Sequence, residues 1–423
     1  MRRLTAAACL LSVVLVGAAP AGLSPAGLSL DLRGRFVAGL EAHKAGDWSA
    51  AAQAFADPSW AGTLLEDYAR LFQAESVLKQ GDMVAARALA AQAADRKPES
   101  GLTPSALVRA AAVLSEAGDP AGAVAVLRRV LARVTDAADA LRARYALGEA
   151  LLAAGDQNEA SRVFTALWLQ APASFGDATE RQLEALADSG VTLPAVPAAE
   201  RAERAERLLS GGLIERARLE SEALVAEKPA AETRERALRV LMNASRRLGR
   251  DDAALAAANQ GLAAAPPERR AAWLLDLGRL RQRRDRETSL ATLDRLVRDY
   301  PKSSAAPNAL LLKAELLEAA SRPAEAEKTY VKLAAAYPDE DEAGTALWRL
   351  GWLAWFRGHH AETTARWTRL QASRGAPRLR DAATYWLGRA WERRGDREQA
   401  ARQFAQLVKD QPRTYYGLLA AKR

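Results

Sequence analysis

Cysteine is nearly absent from this chain of 423 residues: Cys9 is the only one, and it lies in an N-terminal apolar run. Residues 22–423 can therefore form neither a disulfide nor a thiolate metal site. Such a chain is indifferent to an oxidising compartment, which fits a bacterial periplasm. β-branched and aromatic residues are also scarce, whereas the good helix formers Ala, Leu, Arg and Glu dominate. The composition predicts helix almost everywhere.

Signatures of catalysis are missing as well. The three histidines are His43, His359 and His360, and no set of His, Cys, Asp or Glu has the spacing of metal ligands. We interpret the adjacent pair His359-His360 as a surface turn. Neither a phosphate-binding loop of the GxxxxGK[ST] type nor a GxSxG elbow occurs. We therefore expect no catalytic centre, no metal site and no cofactor in this chain.

The N-terminal apolar run is too short for a membrane span, which needs ~20 residues. It extends from Leu4 to Ala19, is preceded by Arg2 and Arg3, and is followed by small residues and a proline. This arrangement is typical of a cleavable export signal. We predict a signal peptide over residues 1–21 and a periplasmic protein that meets the membrane only through that signal. An uncleaved anchor and lipid modification at the single cysteine are the less favoured alternatives.

Charge is distributed unevenly along the chain. Residues 22–200 carry 16 Lys/Arg and 22 Asp/Glu, a net charge of −6, whereas residues 201–423 carry 42 and 30, a net charge of +12. A basic C-terminal half can attract an anionic polymer. We favour the simpler interpretation that these are solvated helix faces of an arginine-rich protein. Nucleic acid is not an expected partner, because the chain has no basic stretch interleaved with aromatic residues.

A short turn recurs along the chain every 35 to 38 residues, with one longer interval between Gly155 and Gly211. The turns are Gly46-Asp47, Gly81-Asp82, Gly118-Asp119, Gly155-Asp156, Gly211-Gly212, Gly249-Arg250, Arg284-Asp285, Ser321-Arg322, Gly358-His359 and Gly395-Asp396. Spacing of this regularity indicates an internal repeat.

The residues after each turn are periodic too. Five positions after the first turn residue stands a small one, at Ala51, Ala86, Ala123, Ala160, Ala254, Ala326 and Ala400. Nine positions after it a bulky residue recurs, at Phe55, Leu127, Phe164, Leu293, Tyr330, Trp367 and Phe404. Seventeen positions after it a proline often ends the unit, at Pro98, Pro172, Pro266, Pro301, Pro338 and Pro412.

This pattern predicts that each unit is a helix–turn–helix hairpin. Glycine adopts the left-handed conformation that ends a helix, and aspartate caps the next one. The alanine lets two helices cross closely, the bulky residue fills the space between hairpins, and the proline stops the second helix. A single hairpin cannot bury its apolar face, but a stack of hairpins can. We therefore predict an all-α fold, an α-α superhelix (solenoid) of stacked hairpins.

The repeat resembles the tetratricopeptide repeat. The clearest unit runs from Leu147-Gly148 through Gly155-Asp156, Ala160 and Phe164 to Pro172. These residues place the small, aromatic and proline positions in the order of that family. Most units here exceed the family's usual 34 residues by one to four.

One stretch breaks the repeat, because Gly190 to Pro197 cannot be helical throughout. We predict an N-terminal helical repeat array over residues 22–175, a linker over 176–200 and a C-terminal array over 201–423.

Six of the ten tryptophans lie within the last 76 residues. Trp348, Trp352 and Trp355 follow the i, i+4, i+7 spacing of one helix face. The favoured interpretation is core between hairpins, with Trp367 and Trp386 at nearby packing positions. The alternative is an aromatic platform for sugar rings or a partner helix, which requires at least one substantially exposed indole.

Two segments near the C-terminus differ from the rest of the repeat. They are Tyr385-Trp386-Leu387-Gly388-Arg389-Ala390, with its turn Arg394-Gly395-Asp396, and Tyr415-Tyr416-Gly417-Leu418-Leu419-Ala420-Ala421. Here the chain resembles the soluble lytic murein transglycosylases, in which such segments close a helical superhelix ahead of the catalytic domain. Repeat packing by itself does not require two tyrosines and a glycine at 415–417. The family's catalytic domain, with its glutamate-serine pair, has no counterpart before Arg423.

The leading hypothesis is a non-catalytic, periplasmic helical region of a lytic-transglycosylase-like protein that binds or positions peptidoglycan strands. Either a catalytic domain follows in the native protein, or the helical part acts alone. The competing hypothesis is a periplasmic tetratricopeptide scaffold whose concave face binds an envelope protein. The candidate contact residues are Trp348, Trp352, Trp355, Trp386, Trp391, Tyr415 and Tyr416.

Overall fold

The computed structural model describes residues 30–95 and 100–423. The predicted signal peptide lies outside these ranges, as does Pro98. The described residues form 22 α-helices and no strand. The prediction of an all-α fold of stacked hairpins is confirmed. None of the helices in the described ranges is long and apolar enough to cross a membrane.

The chain divides between Ala195 and Val196 into two compact units. Nine of the described helices belong to the first unit, and the first eight pair into hairpins. They are α1 (Leu30–Ala45), α2 (Trp48–Phe55), α3 (Glu66–Lys79), α4 (Met83–Asp95), α5 (Pro104–Glu116), α6 (Pro120–Arg133), α7 (Ala137–Ala153), α8 (Gln157–Gln170) and α9 (Pro172–Asp188).

The second unit consists of six hairpins and a short final helix. Its helices are α10 (Ala198–Ser210), α11 (Ile214–Ala226), α12 (Ala231–Arg247), α13 (Asp251–Ala264), α14 (Pro267–Arg281), α15 (Arg286–Asp299), α16 (Ala305–Ala319), α17 (Pro323–Ala336), α18 (Asp341–Phe356), α19 (His360–Ala372), α20 (Arg380–Arg393), α21 (Arg397–Asp410) and α22 (Tyr415–Ala420).

The predicted linker over 176–200 is shorter in the structure, because residues 176–188 belong to α9. Leu183 and Leu186 of this helix are buried in the core of the first unit, and Val191 and Leu193 beyond it pack against the same core. Only residues 189–197 are non-helical. The apolar residues around the end of α9 therefore keep most of this stretch within the first unit.

The hairpin turns have the predicted chemistry. The glycines that end the first helices have φ between +71° and +90°, at Gly46, Gly81, Gly118, Gly155, Gly212, Gly249, Gly358 and Gly395. Aspartate side chains accept the N–H three residues further on, at Asp47, Asp119, Asp156, Asp285 and Asp396. Both confirm that the turn sequence marks where one helix ends and the next begins.

Packing within the hairpins follows the predicted pairing of small and bulky residues. The periodic alanines and bulky residues are all buried. The structure adds glycines in the first helices, which lie directly opposite the bulky rings. A Cβ at Gly148 would lie 2.5 Å from Phe164, and one at Gly388 would lie 2.6 Å from Phe404. These glycines let the first helix approach the ring more closely than alanine would allow.

Within each unit, the first helices of successive hairpins contact one another. In the first unit α1 contacts α3, α3 contacts α5 and α5 contacts α7; in the second, α10 contacts α12, α14 contacts α16 and α16 contacts α18. Second helices of successive hairpins are not among the strongly contacting pairs of the described residues. The first helices therefore line the inner side of each stack. We call this side the inner face.

Candidate functional site

An aromatic cluster lies on α18, α19 and α20 of the second unit. Trp348, Trp352 and Trp355 share one face of α18, with ring centroids 5.4 Å apart in the first pair and 6.2 Å in the second. Trp367 of α19 is fully buried within 5.2–6.1 Å of all three rings. Trp386 of α20 lies 4.7 Å from Trp352 and joins the next first helix to the cluster.

Exposure within this aromatic cluster is confined to one ring. Trp348, Trp352, Trp355 and Trp386 are all half-buried. Phe356, at the end of α18, is 79% exposed and stacks on Trp352 at a centroid distance of 5.5 Å and an interplanar angle of 26°. The sequence analysis missed Phe356, although its place one helical turn after Trp352 would have indicated it.

The other three candidate residues lie beyond this cluster. The half-buried ring of Trp391 is covered by the guanidinium group of Arg394, 4.4 Å from its centroid. Tyr416 packs at 5.6 Å against the buried ring of Tyr385. Tyr415, at the start of α22, is 70% exposed.

Local packing explains the segment that begins at Tyr415. A Cβ at Gly417 would collide with the backbone carbonyl of Gln411, just after α21, and the Gly417 N–H donates to Thr414 Oγ1 at 3.2 Å. Only glycine permits this close turn of α22 onto α21. The expectation that repeat packing does not account for these residues is therefore wrong for Gly417 and Tyr416.

In the first unit, a cleft of about 340 Å³ opens on α1, α3 and α5. Its polar residues include His43, Glu75 and Arg109. His43 Nε2 lies 3.1 Å from Glu75 Oε2, and Arg109 Nε donates to Glu75 Oε1 at 2.7 Å. Burial lowers the pKa of His43; Glu75 opposes this shift and Arg109 adds to it. No group of residues in the described ranges has the arrangement of a metal site.

The lowered pKa of His43 predicts a local pH dependence. Because the pKa is lower in the folded than in the unfolded state, protonation favours unfolding. The stabilisation is fully present above about pH 6.5 and is lost as the pH falls towards the folded pKa. We expect the difference in protection of α1 and α3 amides between the wild type and His43→Gln to narrow on acidification. Hydrogen exchange, corrected for intrinsic rates, measures this; a difference independent of pH contradicts the assignment.

A second cleft, of about 460 Å³, lies on the inner face of the second unit, between α10 and α12. We call it the arginine cleft. It is lined by Glu206, Leu209, Ser210, Arg236, Arg239, Val240, Asn243, Arg246 and Arg247. Sequence reasoning noted the basic C-terminal half and missed this site. The signal was the spacing of Arg236, Arg239, Asn243 and Arg246, which places them on one helix face.

Family models of the tetratricopeptide repeat match residues 114–178, 274–303 and 382–414. These segments are tetratricopeptide repeats. The first contains α6, α7 and α8 in full, the second contains α15, and the third contains α21. Both units therefore hold such repeats, which are modules of protein–protein interaction.

Several solved structures resemble the chain at low identity. PilW, a type IV pilus biogenesis factor, is 18% identical, with 52% of this chain and 96% of PilW covered and a TM-score of 0.35. PilF of Pseudomonas aeruginosa is 16% identical, with 53% and 97% covered and a TM-score of 0.36. YrrB, a TPR protein with an unusual peptide-binding site, is 16% identical, with 59% and 98% covered and a TM-score of 0.28.

These comparisons concern repeats and not catalysis. No significant match occurs among curated proteins. Nothing in the family and structure matches points to lytic murein transglycosylases. The tetratricopeptide part of the sequence-based interpretation is therefore confirmed, and the transglycosylase part receives no support.

Proposed function

We propose that this protein is a periplasmic scaffold that binds another protein of the cell envelope through the inner face of its tetratricopeptide repeats. The observation that carries the proposal is the exposed ring of Phe356 on its base of tryptophans. A large apolar ring that is held in place by packed neighbours loses little side-chain entropy when a partner covers it. Such preorganised aromatic residues are the usual energetic centres of protein interfaces.

The burial pattern favours a protein partner over a glycan strand. A sugar platform needs an exposed indole face, and the indoles of the aromatic cluster are half-buried or fully buried. The C-terminal segment that suggested the peptidoglycan hypothesis has a local packing explanation at Gly417. Neither observation favours glycan binding, so the scaffold becomes the leading hypothesis.

Two features of the sequence support a place in the envelope. Residues 1–21 have the pattern of an export signal, and residues 22–423 contain no cysteine. A chain without cysteine cannot be trapped in a wrong disulfide after export. We therefore expect the partner to be exposed to the periplasm.

Truncation of the exposed ring tests the proposal. We expect Phe356→Ala to lower recovery of the partner by about tenfold, which corresponds to ~1.4 kcal/mol of binding free energy. The measurement is quantitative affinity purification of the tagged, full-length protein from its own envelope fraction. Helicity should be unchanged, because the side chain that is removed is mostly exposed.

The matched control is Leu219→Ala. Leu219 is 52% exposed but lies on α11, a second helix of its hairpin. Its truncation removes a similar exposed apolar surface away from the inner face. Equal recovery of every co-purifying protein with the wild type and Phe356→Ala would contradict the proposal.

A further inference from the structure

The arginine cleft contains more positive charge than its own carboxylates neutralise. Four arginines line it and only one carboxylate, Glu206, does so. Glu206 accepts two hydrogen bonds from Arg236, at 3.0 and 2.9 Å. Arg239 is held by Glu235 and Asp276, each at 3.2 Å. These two arginines therefore already have carboxylate partners.

Arg246 and Arg247 are different. Arg246 Nη2 donates to Asn243 Oδ1 at 3.4 Å, and Arg247 Nη1 donates to the backbone carbonyl of Leu209 at 2.9 Å. Neither forms an ion pair with a carboxylate of the described residues; Arg246 feels the charge of Asp276 only at longer range. Both side chains are exposed at the end of α12. They present two guanidinium groups with donors to spare.

The floor beside these two arginines is apolar and fixed. Val240 is buried, and Leu209 is half-buried across the cleft on α10. Arg239 is immobilised over the ring of the buried Trp273, 4.1 Å from its centroid. The site thus combines open cationic donors with a preformed apolar surface, which is how a protein segment of mixed acidic and apolar character is recognised.

We propose that the arginine cleft binds an acidic segment of the partner protein, with Asp or Glu carboxylates accepting hydrogen bonds from Arg246 and Arg247. The proposal rests on the proposed function, because it names the chemistry of the partner that the inner face binds. A protein segment fits better than a nucleic acid, since no aromatic ring lines the cleft on which a base could stack. The net charge of +12 on residues 201–423 also attracts an acidic partner.

The test uses two labelled peptides of the same length, one of alternating Glu and Gly and one of alternating Gln and Gly. We expect the Glu peptide to bind the full-length protein in fluorescence anisotropy and the Gln peptide not to bind. Arg246→Ala/Arg247→Ala should weaken binding of the Glu peptide by about tenfold. Arg246→Lys/Arg247→Lys should retain part of it, because the charge remains and the planar donors are lost.

The matched control is Arg374→Ala/Arg378→Ala. This variant removes the same charge from exposed residues between α19 and α20, away from the cleft. The Glu peptide should bind it as it binds the wild type. Equal loss in both double variants, or no loss in either, overturns the proposal and leaves at most unspecific attraction by net charge. Failure of the Glu peptide to bind the wild type overturns it too.

A nucleic acid is distinguished by competition. A single-stranded oligonucleotide that displaces the Glu peptide and binds more tightly than it would overturn the proposal in favour of a nucleic acid. The proposed function is separable as well. If Phe356→Ala lowers recovery of the envelope partner and Arg246→Ala/Arg247→Ala does not, the scaffold stands and the acidic segment is refuted.

Discussion

Glu235→Ala is expected to lower the free energy of unfolding of the second unit by about 3–5 kcal/mol. The Glu235 carboxylate is buried in α12 and accepts hydrogen bonds from three donors: Trp273 Nε1 at 2.8 Å, Arg269 Nη1 at 2.7 Å and Arg239 Nη2 at 3.2 Å. Alanine removes all three acceptors at once. The indole N–H of the fully buried Trp273 then has no partner in place of the carboxylate.

Urea unfolding followed by circular dichroism measures this loss, and hydrogen exchange should locate it in α12 and α14. Glu235→Gln keeps the shape and one acceptor, so we expect a smaller loss of about 1–2 kcal/mol. Glu232→Ala is the matched control one turn earlier, where the carboxylate is exposed and only 3.9 Å from Arg269. A loss at Glu232→Ala as large as at Glu235→Ala would contradict the role of the buried network.

Gly351→Ala is expected to destabilise the second unit by about 2–3 kcal/mol. A Cβ at this position would overlap the indole ring of Trp367, which is fully buried between α18 and its neighbours. The indole cannot retreat, because Nε1 donates to the carbonyl of Trp348 at 3.3 Å and Trp352 lies 5.2 Å away. The added methyl group must therefore push the two helices apart.

Thermal and urea unfolding of Gly351→Ala provide the measurement. Trp367→Leu in the same chain should recover part of the loss, since a smaller side chain leaves room for the methyl group. Gly34→Ala is the control, because nothing lies within 4 Å of a Cβ there. Alanine in that exposed helix position should stabilise α1 by up to about 1 kcal/mol. An unchanged midpoint for Gly351→Ala would contradict the close packing.

The hairpins were predictable because their determinants are local. A glycine with positive φ and an aspartate cap are set by residues within one turn of each other, so a spacing such as Gly155-Asp156 followed by Ala160 is visible in the sequence. The burial of the bulky residue nine positions after each turn follows from the same short-range pattern. Glycines such as Gly351 also follow a rule, since each precedes its bulky partner in the second helix by about one hairpin length.

The inner-face sites were less accessible to sequence reasoning, because they depend on which residues of neighbouring hairpins come together. Spacing placed Trp348, Trp352 and Trp355 on one face, but it could not tell that all three are half-buried and that Phe356 is exposed. The arginine cleft needs α10 beside α12, and its open donors appear only once the carboxylate partners of Arg236 and Arg239 are known.

The C-terminal segment shows the opposite error, in which a short motif suggested too much. Tyr416 and Gly417 resembled the residues of a known enzyme family, yet both have packing roles against Tyr385 and the carbonyl of Gln411. A motif that a tight helix return requires can arise wherever such a return occurs. Its presence therefore says little about peptidoglycan.

The most direct test of the central claim is photo-crosslinking in living cells, with a photoreactive amino acid at Phe356 on the inner face or at Val331, an exposed residue of the second helix α17. The scaffold account predicts a discrete protein adduct at Phe356 and none at Val331, and Arg246→Ala/Arg247→Ala should weaken that adduct. No protein adduct at Phe356, or the same adducts at both positions, would contradict the claim that the inner face binds a protein partner.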